Sequence, residues 1–187
     1  MTFLMTNGRK CPDKILFMNN SDIMDVNEKI VECWLNNCKE MFTMSDVVYD
    51  KYFSAIDLLG VSLKDEFRIE VWDIEVKFKS RMIISDTDNK QNGYRHILQQ
   101  LVSDDRDKRV RKIIVSSNCE IKKVLITTRH FLSQKKATYW EEKFRGDGIT
   151  LYFFEDIIVE LREHAKGLNK SNDDILQVLR LLDHFSM

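Results

Sequence analysis

Apolar positions keep helical spacing over residues 26 to about 41, where Val26, Ile30, Val31, Trp34, Leu35 and Cys38 recur three and four apart behind Asp25, a side chain suited to capping. The pattern then turns to period two. Residues 47–63 are β-like, and 67–84 predicts one long strand with even-numbered side chains on one face and odd-numbered ones on the other. Together they predict a hairpin turning at 62–66. A polar loop over 85–92 precedes a helix from Gly93 to about Ser103, with Ile97, Leu98 and Leu101 on one side. Further strands are predicted at 112–116, 123–127 and 149–154, and a helix at 133–144 capped by Ser133. An amphipathic helix runs from Asp156 to near Gly167 through Ile157, Ile158 and Leu161. A last helix, capped by Ser171 or Asn172, passes through Ile175, Val178, Leu179 and Leu182. Strands interleaved with helices predict an α/β domain with a central mixed sheet flanked by helices.

Composition narrows this picture to a single domain over 1–187, because one proline and six glycines in 187 residues leave little room for linkers. Unbroken apolar runs reach only four residues, as at 151–154, so no membrane partner is expected. The first ten residues lack the apolar stretch of a secretory signal, which points to a reducing cytoplasmic or nuclear location. Cys11, Cys33, Cys38 and Cys119 are then expected as thiols, with Cys33 and Cys38 on the core side of their helix. No CxxC pair exists, and His96, His130, His164 and His184 lack metal-ligand spacing. Neither a GxSxG elbow nor a GxGxxG or GxxxxGK[ST] loop is present, which argues against a serine hydrolase and against Gly-rich nucleotide binding.

The net charge of −1 hides an asymmetry: residues 106–145 carry twelve Lys and Arg against four Asp and Glu, while both flanking blocks are acidic. Clustered cations of this kind suit nucleic-acid phosphates, with Arg106, Lys108, Arg109, Arg111, Lys122, Lys123, Arg129, Lys135 and Lys136 as candidate contacts. A solvated helix face beside an acidic one accounts for the same charges.

Candidate chemistry centres on Asp57, followed eighteen residues later by Glu75-Val76-Lys77. Acid-x-Lys occurs four times in the chain, but only Glu75 lies within a predicted strand that has an aspartate in an apolar, strand-like run upstream. Period two puts Glu75 and Lys77 on one face. An acid on the neighbouring strand of the hairpin can meet that face and share a hard cation with Glu75 and the Val76 carbonyl. Oxygen-only ligands are what Mg²⁺ prefers, and Mn²⁺ accepts them too. Lys77 would then position or deprotonate water and offset phosphate charge. The competing reading is a solvent-facing strand side carrying Asp73, Glu75 and Lys77 as ordinary polar residues.

The segments "AIDLLG" with Asp57, "IEVKF" with Glu75 and Lys77, then "KIIVSS", "VLITTRHF" and "GITLYFFEDIIVEL" resemble the PD-(D/E)xK nuclease superfamily, nearest to the Mrr-like restriction endonuclease domain. The resemblance covers about 26–165 as a nuclease-like core and leaves 166–187 as a C-terminal helical extension. It implies a restriction-endonuclease-like fold, Mg²⁺ or Mn²⁺ on Asp57 and Glu75, water assisted by Lys77, and a nearby glutamine, Gln99 or Gln100. A further acid would come from Glu32 or Glu40. The partners it implies are DNA, with RNA as an alternative, and a second copy of the chain or a larger defence or repair assembly. Two rivals stand beside it: a nuclease-like subunit that binds nucleic acid or a protein partner without cleaving, and an interaction module that binds no nucleic acid.

Overall fold

The computed structural model describes residues 25–185 except 51, 53, 66–67, 79–82, 87–92, 115–118, 134 and 169. Cys11 lies outside these residues. Helix α1 (Val26–Cys38) begins on Asp25, whose carboxylate accepts from the Asn27 amide, and buries Val31, Cys33, Trp34 and Leu35. Strands β1 (Phe42–Val48), β2 (Ala55–Asp65) and β3 (Arg68–Lys77) follow as an antiparallel meander. The stretch predicted as one β segment over 47–63 is therefore two strands, turned where the Asp50 carboxylate accepts from the Tyr52 and Ser54 amides. The long strand predicted over 67–84 stops at Lys77, and the hairpin turn predicted at 62–66 is displaced, because β2 runs on through Ser62 and Leu63 to Asp65, paired with β3.

Helices α2 (Tyr94–Leu101) and α3 (Asp104–Ile113) lead to β4 (Cys119–Thr127), α4 (Ala137–Gly146), β5 (Ile149–Phe153), α5 (Phe154–Lys166) and α6 (Asp174–Phe185). The sheet has five strands in the order β1-β2-β3-β4-β5, with β4 and β5 parallel to β3. The chain is an α/β fold with a mixed sheet flanked by helices.

Three boundaries differ from the sequence pattern for physical reasons. Lys112 and Ile113, read as the start of a strand, close α3, whose Asp104, Asp105 and Asp107 at one end and Arg111 and Lys112 at the other match the helix dipole. Helix α4 starts at Ala137 rather than at Ser133, which sits at φ +65° in a turn and cannot serve as an extended cap. Asp173, not Ser171 or Asn172, caps α6 by accepting from the Ile175 and Leu176 amides.

Alternation along the central strands sorts the core. Trp72, Ile74, Val124 and Ile126 pack with α1, α5 and α6, where Trp34, Leu35, Leu161 and Leu176 close a buried cluster. The opposite face carries Leu59 and Val71 under Val110 of α3, and Leu125 under α2 and α4. Asp73 and Glu75 also lie on that second face, at 0% and 3% exposure. The strand side carrying Asp73, Glu75 and Lys77 is thus not the solvent-facing surface of the competing reading. Among the described residues, Cys33, Cys38 and Cys119 are free thiols, and no helix is long and apolar enough to cross a membrane.

Candidate active site

Asp57 comes level with Glu75 because the register that pairs Leu58 with Ile74 puts position 57 opposite position 75. The β2–β3 ladder runs from Asp65 and Arg68 to Leu58 and Ile74; past it, β2 continues against β1 and β3 against β4. There the Val76 amide donates to Asp57 Oδ2 at 2.7 Å, so a side-chain oxygen stands where a strand carbonyl would. A strand residue directs its N–H and C=O to the same edge, so the Val76 carbonyl also faces β2. The two carboxylates and this carbonyl share one end of the hairpin.

Glu75 is held by two cations. Its Oε1 lies 2.6 Å from Lys77 Nζ, and its Oε2 lies 2.8 Å from Nη1 of Arg106 on α3. Arg106, at 0% exposure, also gives Nε to Asp73 Oδ1 at 2.7 Å and Nη2 to the Ile74 carbonyl at 3.1 Å. The other Asp73 oxygen accepts from Lys123 Nζ at 2.7 Å, and Lys123 reaches on to Asp107. A buried network of alternating charge therefore backs the Glu75 side of the site. Arg106 stays charged in it, because the Asp73 and Glu75 carboxylates outweigh the burial that would lower its pKa.

Among the described residues, no cation is in ion-pair contact with Asp57. Burial, and after it the charge of Glu75, push its carboxyl up to about 7, against the lowering pull of the Val76 amide and Lys77. Glu28, in the first turn of α1, feels the same environment: burial raises its pKa, as do Asp46, Asp25 and Glu75, and its charge adds to the rise at Asp57. It is Glu28 that α1 brings to this field. Of the two acids proposed from sequence, Glu32 accepts from Thr43 Oγ1 at 3.0 Å, and Glu40 is exposed beyond the helix at φ +53°. Glu28 and Glu32 share a helix face, so spacing alone does not separate them; the overlap of the first turn of α1 with the hairpin end does.

The remaining sequence candidates divide. Gln99 is exposed and lines a cleft with Tyr94, Glu142, Lys143 and Asp147 between α2 and α4, a cleft that contains none of Asp57, Glu75 and Lys77. Gln100, one position on, has its Oε1 buried without a hydrogen-bond partner among the described residues. Of the basic candidates, Arg106 is enclosed by Asp73 and Glu75 and presents nothing to a phosphate. Lys122 and Lys123 point to opposite faces of β4, since consecutive strand residues must, and each is bound to an acid, Glu70 and Asp73 respectively. Arg129 is bidentate to Asp156, and Lys108 meets Asp105 at 3.5 Å. Arg111, Lys135 and Lys136 are exposed, and Arg109 is half-buried. The nine cations do not form one face.

The donors suit a hard cation. Asp57 Oδ1, Glu75 Oε1 and the Val76 carbonyl are all oxygens, and Mg²⁺ or Mn²⁺ commonly takes one or two carboxylates and completes its shell with water and phosphate. Among the described residues, no group of three His, Cys, Asp or Glu side chains could by itself hold a metal. No family model matches the chain, and neither a curated protein nor a solved structure does.

Proposed function

We propose that the chain is a metal-dependent nuclease that hydrolyses phosphodiester bonds in DNA, on a restriction-endonuclease-like fold of the PD-(D/E)xK type. The observation that carries this reading is the contrast between two level carboxylates at the open end of the hairpin. Glu75 is charge-compensated, whereas Asp57 is half-buried beside it with its carboxyl raised to about 7. A perturbed acid in such a pair favours a functional over a decorative role, because a carboxylate drawn from water beside a like charge is costly to the fold. A divalent cation, when bound, would polarise the phosphate and lower the pKa of a water. Asp57 and Glu75 would hold it with the Val76 carbonyl. Lys77, half-buried and 2.6 Å from Glu75, sits beside the same two carboxylates, where its ammonium can orient a water and oppose the negative charge that grows on the phosphate.

A second reading has its own observation. The Arg106 fork satisfies Asp73 and Glu75 as a structural network would, which favours a nuclease-fold subunit that binds nucleic acid or a protein partner without cleaving. Incubation with supercoiled plasmid separates the two. The nuclease nicks or linearises it in Mg²⁺ or Mn²⁺ and is silenced by chelation. Asp57→Ala abolishes the activity, and Lys77→Ala lowers it by about a hundredfold or more. A wild-type protein that leaves plasmid intact with both metals overturns the nuclease reading in favour of the second.

A further inference from the structure

Helix α3 is nearly all charge, with Asp104, Asp105, Arg106, Asp107, Lys108, Arg109, Arg111 and Lys112 within ten residues, yet it packs on the sheet. Its two buried side chains are Arg106 and Val110, one turn apart. Val110 sits in an ordinary apolar cluster with Leu59 and Val71. Arg106 does something an apolar residue at that position cannot. Its planar guanidinium spans Asp73 Oδ1, Glu75 Oε2 and the Ile74 carbonyl, three acceptors on consecutive residues of β3, and the Tyr49 ring lies 5.9 Å from its Cζ. Such a fork fixes the rotation of Glu75 about its last bond, because one carboxylate oxygen is tied to Nη1. The other oxygen, Oε1, is thereby turned to the Lys77 side.

We infer that Arg106 is a positioning residue: through Asp73 and the Ile74 carbonyl, α3 locks the Glu75 carboxylate so that a single oxygen is presented to a divalent cation held with Asp57. The inference rests on the nuclease reading of the site and adds to it the element that aims the ligand. Partners behind a metal ligand commonly shift affinity by about 10- to 100-fold when removed, and the fork is such a partner. Asp73 belongs to the same device. It anchors the guanidinium from one side, while Lys123, tied to both Asp73 and Asp107, keeps Asp73 compensated from the other.

The test is Mn²⁺ binding measured by titration calorimetry on folded protein, with circular dichroism on the same samples. Three variants are compared with wild type. Arg106→Lys keeps the charge but loses the fork. Arg106→Met removes both. Asp73→Leu combined with Arg106→Met replaces the ion pair by apolar groups, which tends to preserve or restore stability while leaving Glu75 unaimed. The expected result is that all folded variants bind Mn²⁺ about 10- to 100-fold more weakly than wild type, the stability-restored double variant included. Wild-type affinity in the folded double variant, or in folded Arg106→Lys, overturns the inference and leaves the nuclease reading standing. A wild-type protein that binds no Mn²⁺ overturns both, so the two failures are distinct.

Discussion

At the scale of single residues, the site sets two neighbouring carboxylates in opposite roles for stability. Asp57 carries a folded pKa of about 7 against an ordinary 3.8, with burial as the largest cause and Glu75 next. Between those values the folded chain keeps a proton that the unfolded chain has released. The contribution of this group to stability is therefore full at low pH and fades as pH rises toward about 7. Asp57→Asn keeps an acceptor for the Val76 amide and removes the charge. It should flatten this part of the pH profile and raise the melting temperature at pH 8, where wild type bears the repulsion. Glu75→Ala removes the second cause of the Asp57 shift and so should also narrow this window, but at a cost of about 3 kcal/mol in stability, because it leaves Arg106 buried with one carboxylate fewer. Thermal melts without metal at pH 5 and pH 8 measure both. An Asp57→Asn protein as pH-sensitive as wild type would assign the window to other groups. A gain from losing a charge at one position, set against a loss at its neighbour across the hairpin, marks Asp57 as the residue held against the interests of the fold.

At the scale of elements, what the sequence discloses depends on whether local pattern or a distant partner decides the outcome. The hairpin was legible in outline but its turn was not: residues 62–65, read as part of the turn, pair within β2, and it is the observed register, Leu58 with Ile74, that puts Asp57 opposite Glu75. Helix α1 was legible for the same kind of reason, since Asp25 and an apolar stripe define it locally. Helix α3 was not. Its inward stripe is Arg106, Val110 and Ile113, and an arginine in that stripe erases the apolar periodicity by which buried helices are read. Only the acids of β3, distant in sequence, make such a position buryable. The same blindness turned Arg106 into a surface cation and left Glu28 unremarked beside Glu32. Helix α6, read as an extension, is another case where packing decides. Leu176 is 1% exposed in the cluster that holds Trp34, Leu35 and Leu161, so α6 covers the back of α1 and α5. Leu176→Ala should cost about 2–5 kcal/mol, the range of a central leucine, in a chemical denaturation series. A loss below about 1 kcal/mol would make α6 a detachable appendage rather than part of the core.

At the scale of the whole molecule, the proposed nuclease function carries an electrostatic prediction about how DNA would be bound. The formal charge is −1, and the basic block of 106–145 spends much of its charge internally: Arg106 on Asp73 and Glu75, Lys122 on Glu70, Lys123 on Asp73 and Asp107, Arg129 on Asp156, and Lys143 on Asp86. The Glu70 pairing is firm enough to hold that carboxyl at about 2, where Lys122 and Lys64 outweigh the opposing effect of burial. Cations so engaged would release no counterions on binding DNA. The exposed Arg111, Lys135 and Lys136 are the candidates from the block left to do so. If each neutralises one phosphate, the logarithm of the binding constant should fall with the logarithm of salt at a slope of about −3, where all nine candidates acting together would give about −8. Lys135→Glu with Lys136→Glu should shrink that slope by about two while leaving any sequence preference unchanged, because phosphate contacts position a duplex without reading it. Lys122→Glu should instead unfold or loosen the β3–β4 pairing beside Glu70 and leave the slope of the folded fraction alone. Fluorescence anisotropy across a salt series, in Ca²⁺ to support binding without turnover, measures the slopes. A slope near −8 in wild type would mean that DNA pulls the internal cations out of their ion pairs. The network behind Glu75 would then be part of the DNA-binding surface rather than of the scaffold.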